Sequence, residues 1–143
     1  MIKLILLFIL LSPFSLSAAT TPKEGITQEN FADEMKYETN FDEAVKKAKK
    51  SGKGVMLVLV ANYCPWCRKF EQRVLSRGDA DEALRKNYVP LILNKEEGKF
   101  PKRFLTYFTP VVQFIDYKTL QSHETIVGYN NKEDFFYFIK VKE

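Results

Sequence analysis

Apolar residues follow two different periods along this chain, and the two periods predict its helices and strands. Asn40 and Glu43 fit a capping box, and apolar residues recur after them at helical spacing, which predicts a helix from Asn40 to about Lys50. The next segment, Val55 to Val60, is an unbroken apolar run rich in β-branched side chains. Such a run is typical of a strand that is buried on both faces of a sheet.

The rest of the chain continues this alternation of helices and strands. The pattern predicts, in chain order, helices over 65–75 and 79–86, a strand over 88–93, a short aromatic-rich helix over 100–108, strands over 110–115 and 123–127 that form a hairpin, and a final helix over 131–141. A strand, a crossover helix and a second strand form a right-handed unit with parallel strands. The order therefore predicts an α/β fold with a central mixed sheet of four to five strands and helices on both faces.

The first 19 residues differ from the rest and predict a signal peptide. Met1-Ile2-Lys3 is a short cationic start, Leu4 to Leu11 is an apolar run, and Ser17-Ala18-Ala19 offers the small residues that a signal peptidase recognises. The alternative, a membrane anchor, would need roughly 20 apolar residues. We expect cleavage after Ala19 and export, with a bacterial periplasm as the compartment.

The remaining chain divides into a leader and one domain. Residues 20–38 are polar and lack a sustained period, so they predict a loose leader with at most a short edge strand over 35–39. Residues 39–143 then form a single domain, which suits a chain of 143 residues with 45% apolar composition. Lys and Arg exceed Asp and Glu by 22 to 18 and are scattered, which argues against a nucleic-acid partner.

The two cysteines of the chain carry the candidate chemistry. Cys64 follows the buried strand and precedes Pro65, a residue favoured in the first turn of a helix, so Cys64 lies where free N–H groups stabilise a thiolate. Cys67 lies one turn later, faces inward, and is placed at a distance that suits a disulfide. A pair this close adds little stability, which points to thiol–disulfide exchange. In that chemistry Cys64 attacks and Cys67 resolves, with no metal or organic cofactor.

Other uses of a Cys-x-x-Cys pair do not fit the sequence. A zinc site needs four ligands, whereas the chain has two cysteines and one histidine. That histidine, His123, lies in the predicted hairpin, where we expect an ordinary surface residue rather than the partner of a catalytic cysteine. A haem attachment motif would place a histidine after the second cysteine, and Arg68 stands there instead.

Three motifs together resemble the thioredoxin superfamily: Cys64-Pro65-Trp66-Cys67 after an apolar strand, Thr109-Pro110 at the start of a later strand, and Gly128-Tyr129 before the last helix. The stretch 41–71 is similar to exported proteins related to the periplasmic C-terminal domain of bacterial membrane thiol:disulfide interchange reductases. The resemblance implies a thioredoxin-like fold. It also implies an enzyme that reduces disulfides in other proteins, with electrons from a membrane electron-transfer partner.

The resemblance and the position of Trp66 suggest further site residues. Carried over by position, Pro110 would be a cis-proline beside the disulfide, and Thr109 would offer backbone groups to an extended substrate segment. Trp66 lies between the cysteines on an exposed first turn. We therefore expect Trp66 to contribute to the surface on which a partner docks.

One position departs from the family pattern. Many thioredoxins carry a buried acid six residues before the first cysteine, and Val58 occupies that position. Glu71, one turn after Cys67, is a candidate substitute for proton transfer, although a lone glutamate on a helix is more often a solvated surface residue. The residues leave the direction of electron flow open. A disulfide oxidase or isomerase, and a thioredoxin-fold binding or chaperone module, remain alternatives.

Overall fold

A four-stranded mixed sheet in the order β2-β1-β3-β4 forms the centre of the computed structural model, which describes residues 27–140. Strand β1 (Gly54–Val60) is parallel to β2 (Tyr88–Asn94) and antiparallel to β3 (Val111–Ile115), and β3 forms a hairpin with β4 (Ser122–Val127). The predicted signal peptide over 1–19 and the first part of the predicted leader lie outside the described residues.

Helices cover both faces of this sheet. They are α1 (Phe31–Met35), α2 (Phe41–Ser51), α3 (Pro65–Phe70), α4 (Gly78–Asn87) and α5 (Lys132–Lys140). Helix α2 begins as its capping box predicts, because the Asn40 side chain accepts a 3.0 Å hydrogen bond from the Glu43 backbone N–H. Between residues 27 and 140, no helix is long and apolar enough to span a membrane.

Strand β1 is buried on both sides because its alternate residues enter two separate apolar clusters. Val55, Leu57 and Leu59 pack with α2 on one face. Met56 and Val58 pack on the other face, in a cluster that includes residues of α1, α3, α4 and α5. The unbroken apolar run is explained by this double burial. The predicted α/β fold, with a mixed sheet between helices on both faces, is confirmed.

The leader predicted as loose over 20–38 is ordered where the structure describes it. Phe31 opens α1 and is 1% exposed, and its ring lies edge-on to Tyr37 at 5.1 Å between centroids. Glu38 forms a single parallel bridge with Leu91, so the edge strand suggested over 35–39 is reduced to one bridging residue. Over residues 27–38 the prediction of a loose segment was wrong, because two aromatic side chains anchor a helix too short to show a period.

The aromatic-rich helix predicted over 100–108 is also wrong. Only Lys102–Phe104 forms a 3-10 turn, and the segment from Leu105 to Thr109 is irregular. Phe104 is buried against Phe41, at 5.3 Å between ring centroids, and its carbonyl accepts a 2.7 Å hydrogen bond from the Gln113 side chain. The Phe104 carbonyl is bonded to a side chain of β3 instead of to a backbone N–H of a continuing helix. The position of this segment is therefore set by the buried Phe104 and not by a helical pattern of aromatic residues.

Candidate active site

The two cysteines lie at the junction of β1 and α3, joined as a disulfide with 5.2 Å between their Cα atoms. Cys64 is the N-cap of α3, and its Sγ accepts a 3.2 Å hydrogen bond from the Cys67 backbone N–H. Pro65 occupies the first helical position, as expected for a residue without an N–H. Cys64 is 8% exposed and Cys67 is 0% exposed, so the outer sulfur of the pair belongs to Cys64.

The turn before Cys64 is held by side chains from two other segments. The Asn62 backbone N–H donates to Oε2 of Glu96 at 3.0 Å, and the Asn62 side-chain oxygen accepts from Asn94 at 2.7 Å. The Gln28 side chain donates to the Ala61 carbonyl at 3.3 Å. These bonds connect the end of β2 and the segment before α1 to the turn, so they fix the entry into the cysteine helix.

Thr109 and Pro110 lie beside the disulfide, where the resemblance to thioredoxins placed them. The peptide bond between them is cis. Oγ1 of Thr109 lies 3.5 Å from Sγ of Cys64, and either atom can be the donor. The Pro110 carbonyl accepts a 2.8 Å hydrogen bond from the Gly128 backbone N–H. Thr109 therefore contacts the outer sulfur, and the Gly128 segment is bonded to the residue that follows Thr109.

Trp66 is 55% exposed and is held by two residues that the sequence analysis did not assign to the site. The Lys69 ammonium lies 4.5 Å from the centre of the Trp66 ring and 4.8 Å from the centre of the Tyr129 ring. The two rings are 5.8 Å apart. The motif Gly128-Tyr129 was noted only as a family feature, and its contact with Trp66 depends on the fold.

Glu71 is buried, which corrects the expectation that a lone glutamate on this helix is solvated. Its side chain is 1% exposed, and Oε1 has no hydrogen-bond partner among residues 27–140. Its backbone N–H donates to the carbonyls of Arg68 and Cys67. Burial raises the pKa of the carboxyl to about 8, Arg68 opposes this change, and Glu29 adds to it. A buried acid therefore follows Cys67 by one turn, at the start of a π-helical turn (Glu71–Leu75).

An open cleft of about 440 Å³ lies next to the cysteines on the side of Tyr63. Tyr63 is 92% exposed and adopts a left-handed backbone with φ of 53°. The cleft is lined by polar and charged side chains and by Tyr63, namely Gln28, Glu29, Asn62, Tyr63, Arg68 and Asn94.

His123, the single histidine of the chain, lies exposed on β4 beside the rings of Tyr88 and Phe114. Within residues 27–140 no group of three or more His, Cys, Asp or Glu is placed to hold a metal ion.

A buried Cys-x-x-Cys disulfide at the N-terminus of a helix, beside a mixed sheet, defines a protein with a thiol–disulfide redox role. A sequence model of the thioredoxin-like family matches residues 36–116, more than half of the chain. The chain therefore belongs to the thioredoxin-like family. No curated protein is similar enough in sequence to match it.

Solved structures share the fold at low sequence identity. A thioredoxin from Thermus thermophilus is 19% identical, with a TM-score of 0.61 over 73% of this chain and 84% of its own. The oxidised C-terminal domain of DsbD from Neisseria meningitidis is 15% identical, with a TM-score of 0.56 over 74% of this chain and 99% of its own. A disulphide isomerase from Xylella fastidiosa is 15% identical, with a TM-score of 0.55 over 88% of this chain and 100% of its own.

Proposed function

We propose that this chain is an exported thiol:disulfide oxidoreductase that reduces disulfides in other proteins through Cys64 and Cys67. A membrane electron-transfer partner would restore its dithiol after each cycle, in the periplasm. The observation that carries the proposal is the asymmetry of the pair. Cys64 is the N-cap and contacts Thr109, whereas Cys67 is fully buried behind it.

The reaction begins with the reduced pair. The Cys64 thiolate attacks one sulfur of the client's disulfide, a new S–S bond forms between enzyme and client, and the second client sulfur leaves as a thiolate that takes up a proton. The Cys67 thiolate then attacks Sγ of Cys64, and the first client sulfur leaves. Two electrons pass from the enzyme to the client, and the enzyme ends as the disulfide.

The local geometry favours Cys64 as the attacking group. The Cys67 N–H that donates to Sγ at 3.2 Å can donate equally to a thiolate, and the positive end of α3 adds to this stabilisation. Thr109 offers its hydroxyl at 3.5 Å. A client segment in extended conformation would pair with the backbone beside Pro110, which holds the client sulfur in line with Cys64.

Resolution requires a proton to leave the buried thiol of Cys67. Glu71 is the buried acid one turn away, and its raised pKa of about 8 lets it exchange protons near neutral pH. Val58 occupies the position where many thioredoxins carry such an acid, and it packs in the apolar cluster under the cysteines. We therefore assign the proton transfer to Glu71, which follows Cys67 by one helical turn.

The direction of electron flow is tested by the reduction potential of the pair, equilibrated against dithiothreitol and glutathione buffers. Thioredoxin-type pairs extend from about −270 mV in reductants to about −120 mV in the strongest oxidant. We expect a reduction potential below about −200 mV. A potential above about −150 mV would instead indicate a disulfide oxidase.

The exchange itself is tested by trapping. Cys67→Ala leaves the attacking thiol without its resolving partner, so mixed disulfides with clients should accumulate in the periplasm and disappear on treatment with dithiothreitol. Cys64→Ala is the matched control, since the remaining thiol is buried and should trap no client. Equal trapping by both variants, or none by Cys67→Ala, would favour a binding or chaperone module over an enzyme.

Export is tested on the full chain, expressed in a bacterial host with an outer membrane. The periplasmic fraction should contain a protein whose N-terminus, measured by mass spectrometry, is Thr20. Recovery of the unprocessed chain in the membrane fraction would instead support the anchor interpretation of the first residues.

A further inference from the structure

The surroundings of Trp66 are more ordered than its exposure suggests. A half-exposed indole on the first turn of a helix has several rotamers open to it. Here the Tyr129 ring packs against the indole, with 5.8 Å between the ring centroids, and the Lys69 ammonium lies over both rings. A cation shared between two aromatic rings stabilises one arrangement of all three side chains.

Tyr129 is itself fixed to the core. Its ring lies edge-on to Phe70 at 6.3 Å, and Phe70 lies edge-on to Phe135 of α5 at 5.5 Å. Both phenylalanines are 0% exposed. The orientation of Trp66 is thus set from two sides, by Lys69 of its own helix and by Tyr129, which packs on the buried cluster.

The loop after β4, which contains Gly128 and Tyr129, is hydrogen-bonded to the segment of Thr109 and Pro110. The Gly128 N–H donates to the Pro110 carbonyl at 2.8 Å, and Thr109 contacts Sγ of Cys64. Gly128 has φ of +83°, a conformation that side chains rarely adopt, and it directs the chain into Tyr129. Contacts therefore run from Cys64 through Thr109, Pro110 and the loop to Trp66, and close around the pair.

From this geometry we infer that Tyr129 and Lys69 are positioning residues, which hold the Trp66 indole in one orientation beside Cys64 as a preformed part of the docking surface for client proteins. The orientation of Trp66 stands on the contacts alone, and its effect on clients rests on the proposed function. A side chain ordered in advance spares a client the entropy of ordering it on binding.

The chain reports on this arrangement directly, because Trp66 is its only tryptophan. Acrylamide quenching and anisotropy of tryptophan fluorescence are measured on the oxidised full chain, so that no thiol changes state. Tyr129→Leu removes the ring and should raise the quenching constant about twofold, with lower anisotropy, while Tyr129→Phe keeps the ring and should stay close to wild type. Lys69→Gln removes the cation and should fall between them.

Two control variants alter similar residues away from Trp66. Tyr137→Leu removes another exposed tyrosine, on α5, and Lys118→Gln removes another lysine that lies over a ring, that of Tyr117 at 5.5 Å. Both should match wild type. Far-UV circular dichroism establishes that each variant is folded, and Lys69→Gln keeps the test open if Tyr129→Leu does not fold. Quenching and anisotropy unchanged in Lys69→Gln and in folded Tyr129→Leu would overturn the inference.

The effect on clients is measured separately, by the kinetics of reduction of a protein disulfide. Tyr129→Leu should raise KM by about 2- to 12-fold, the cost of ordering one large side chain on binding, with a smaller change in kcat. A quenching change without a KM change would overturn the docking role, while the positioning of Trp66 by Tyr129 would stand. Absence of any reductase activity in the wild type would overturn the proposed function, while the fluorescence result would still decide the positioning role.

Discussion

Sγ of Cys64 lies 3.5 Å from Oγ1 of Thr109, although 45 residues separate them along the chain. The contact joins the N-cap of α3 to the cis peptide before β3. In the reduced protein, the hydroxyl can donate a hydrogen bond to the Cys64 thiolate. Hydrogen bonds to a charged group favour that charged form.

Thr109→Ala should therefore raise the pKa of Cys64 in the reduced protein, because the thiolate loses a hydrogen-bond donor. The pH dependence of alkylation by iodoacetamide measures this pKa, because only the thiolate reacts. Thr109→Ser keeps the hydroxyl and should behave as wild type. An unchanged pKa in the alanine variant would show that the hydroxyl does not donate to the sulfur.

The pH dependence of stability should be dominated by Glu71, whose neighbouring charges are Arg68 and Glu29. The folded protein keeps a proton on this carboxyl that the unfolded chain releases, since burial raises its pKa from 4.5 to about 8. The stabilisation is full below pH 4.5 and is lost as the pH rises through 8. From pH 5 to pH 8 the free energy of unfolding should fall by about 3 kcal/mol.

Urea unfolding of the oxidised protein at several pH values measures this slope, with no thiol titrating. Glu71→Gln should remove most of the slope, whereas the exposed Glu82→Gln should retain it. If Glu71→Gln keeps the wild-type slope, the titrating group lies elsewhere.

The segment before Thr109 should depend on one anchor. Phe104→Ala empties a fully buried site and should lower the free energy of unfolding by about 3 to 5 kcal/mol. Phe108→Ala, at a residue that is 67% exposed, should change it by less than about 0.5 kcal/mol. Urea unfolding measures both, and similar losses in the two variants would contradict the anchoring role of Phe104.

The loop at Gly128 should connect stability to the orientation of Trp66. An added Cβ meets no atom of the described part of the chain within 4 Å, so Gly128→Ala should cost only the strain of a positive φ, about 1 to 2 kcal/mol. Gly98→Ala carries a similar strain at φ +63° and is the matched control. Both should unfold at lower urea concentration, but only Gly128→Ala should change the quenching of Trp66. Equal quenching in the two variants would show that the loop at Gly128 does not affect the orientation of Trp66.

The sheet and the cysteine helix were predictable from sequence because their signals are local. Val55 to Val60 forms a long apolar run, and Pro65 marks the start of a helix. The position of Thr109 beside Cys64 is different. It follows from strand pairing across the sheet, so the spacing of residues could not supply it and only the resemblance to thioredoxins did.

The burial of Glu71 could have been predicted from its position in the helix, but the charge of a glutamate favoured an exposed position instead. Glu71 lies four residues after Cys67 and three before Val74, both fully buried, so the helical period already places it on the inner face. The contact of Lys69 with Tyr129 had no such signal, since the loop after β4 reaches Trp66 only through the hairpin.

The residues that surround the disulfide extend beyond the part of the chain that the family shares. Phe31 and Phe135 lie outside the matched residues 36–116, yet both belong to the same buried cluster as Cys64 and Cys67. A fragment cut at residues 36 and 116 would remove both phenylalanines from the buried cluster that contains the two cysteines. A shorter version of this protein that keeps the cluster around its redox centre complete must therefore include both α1 and α5.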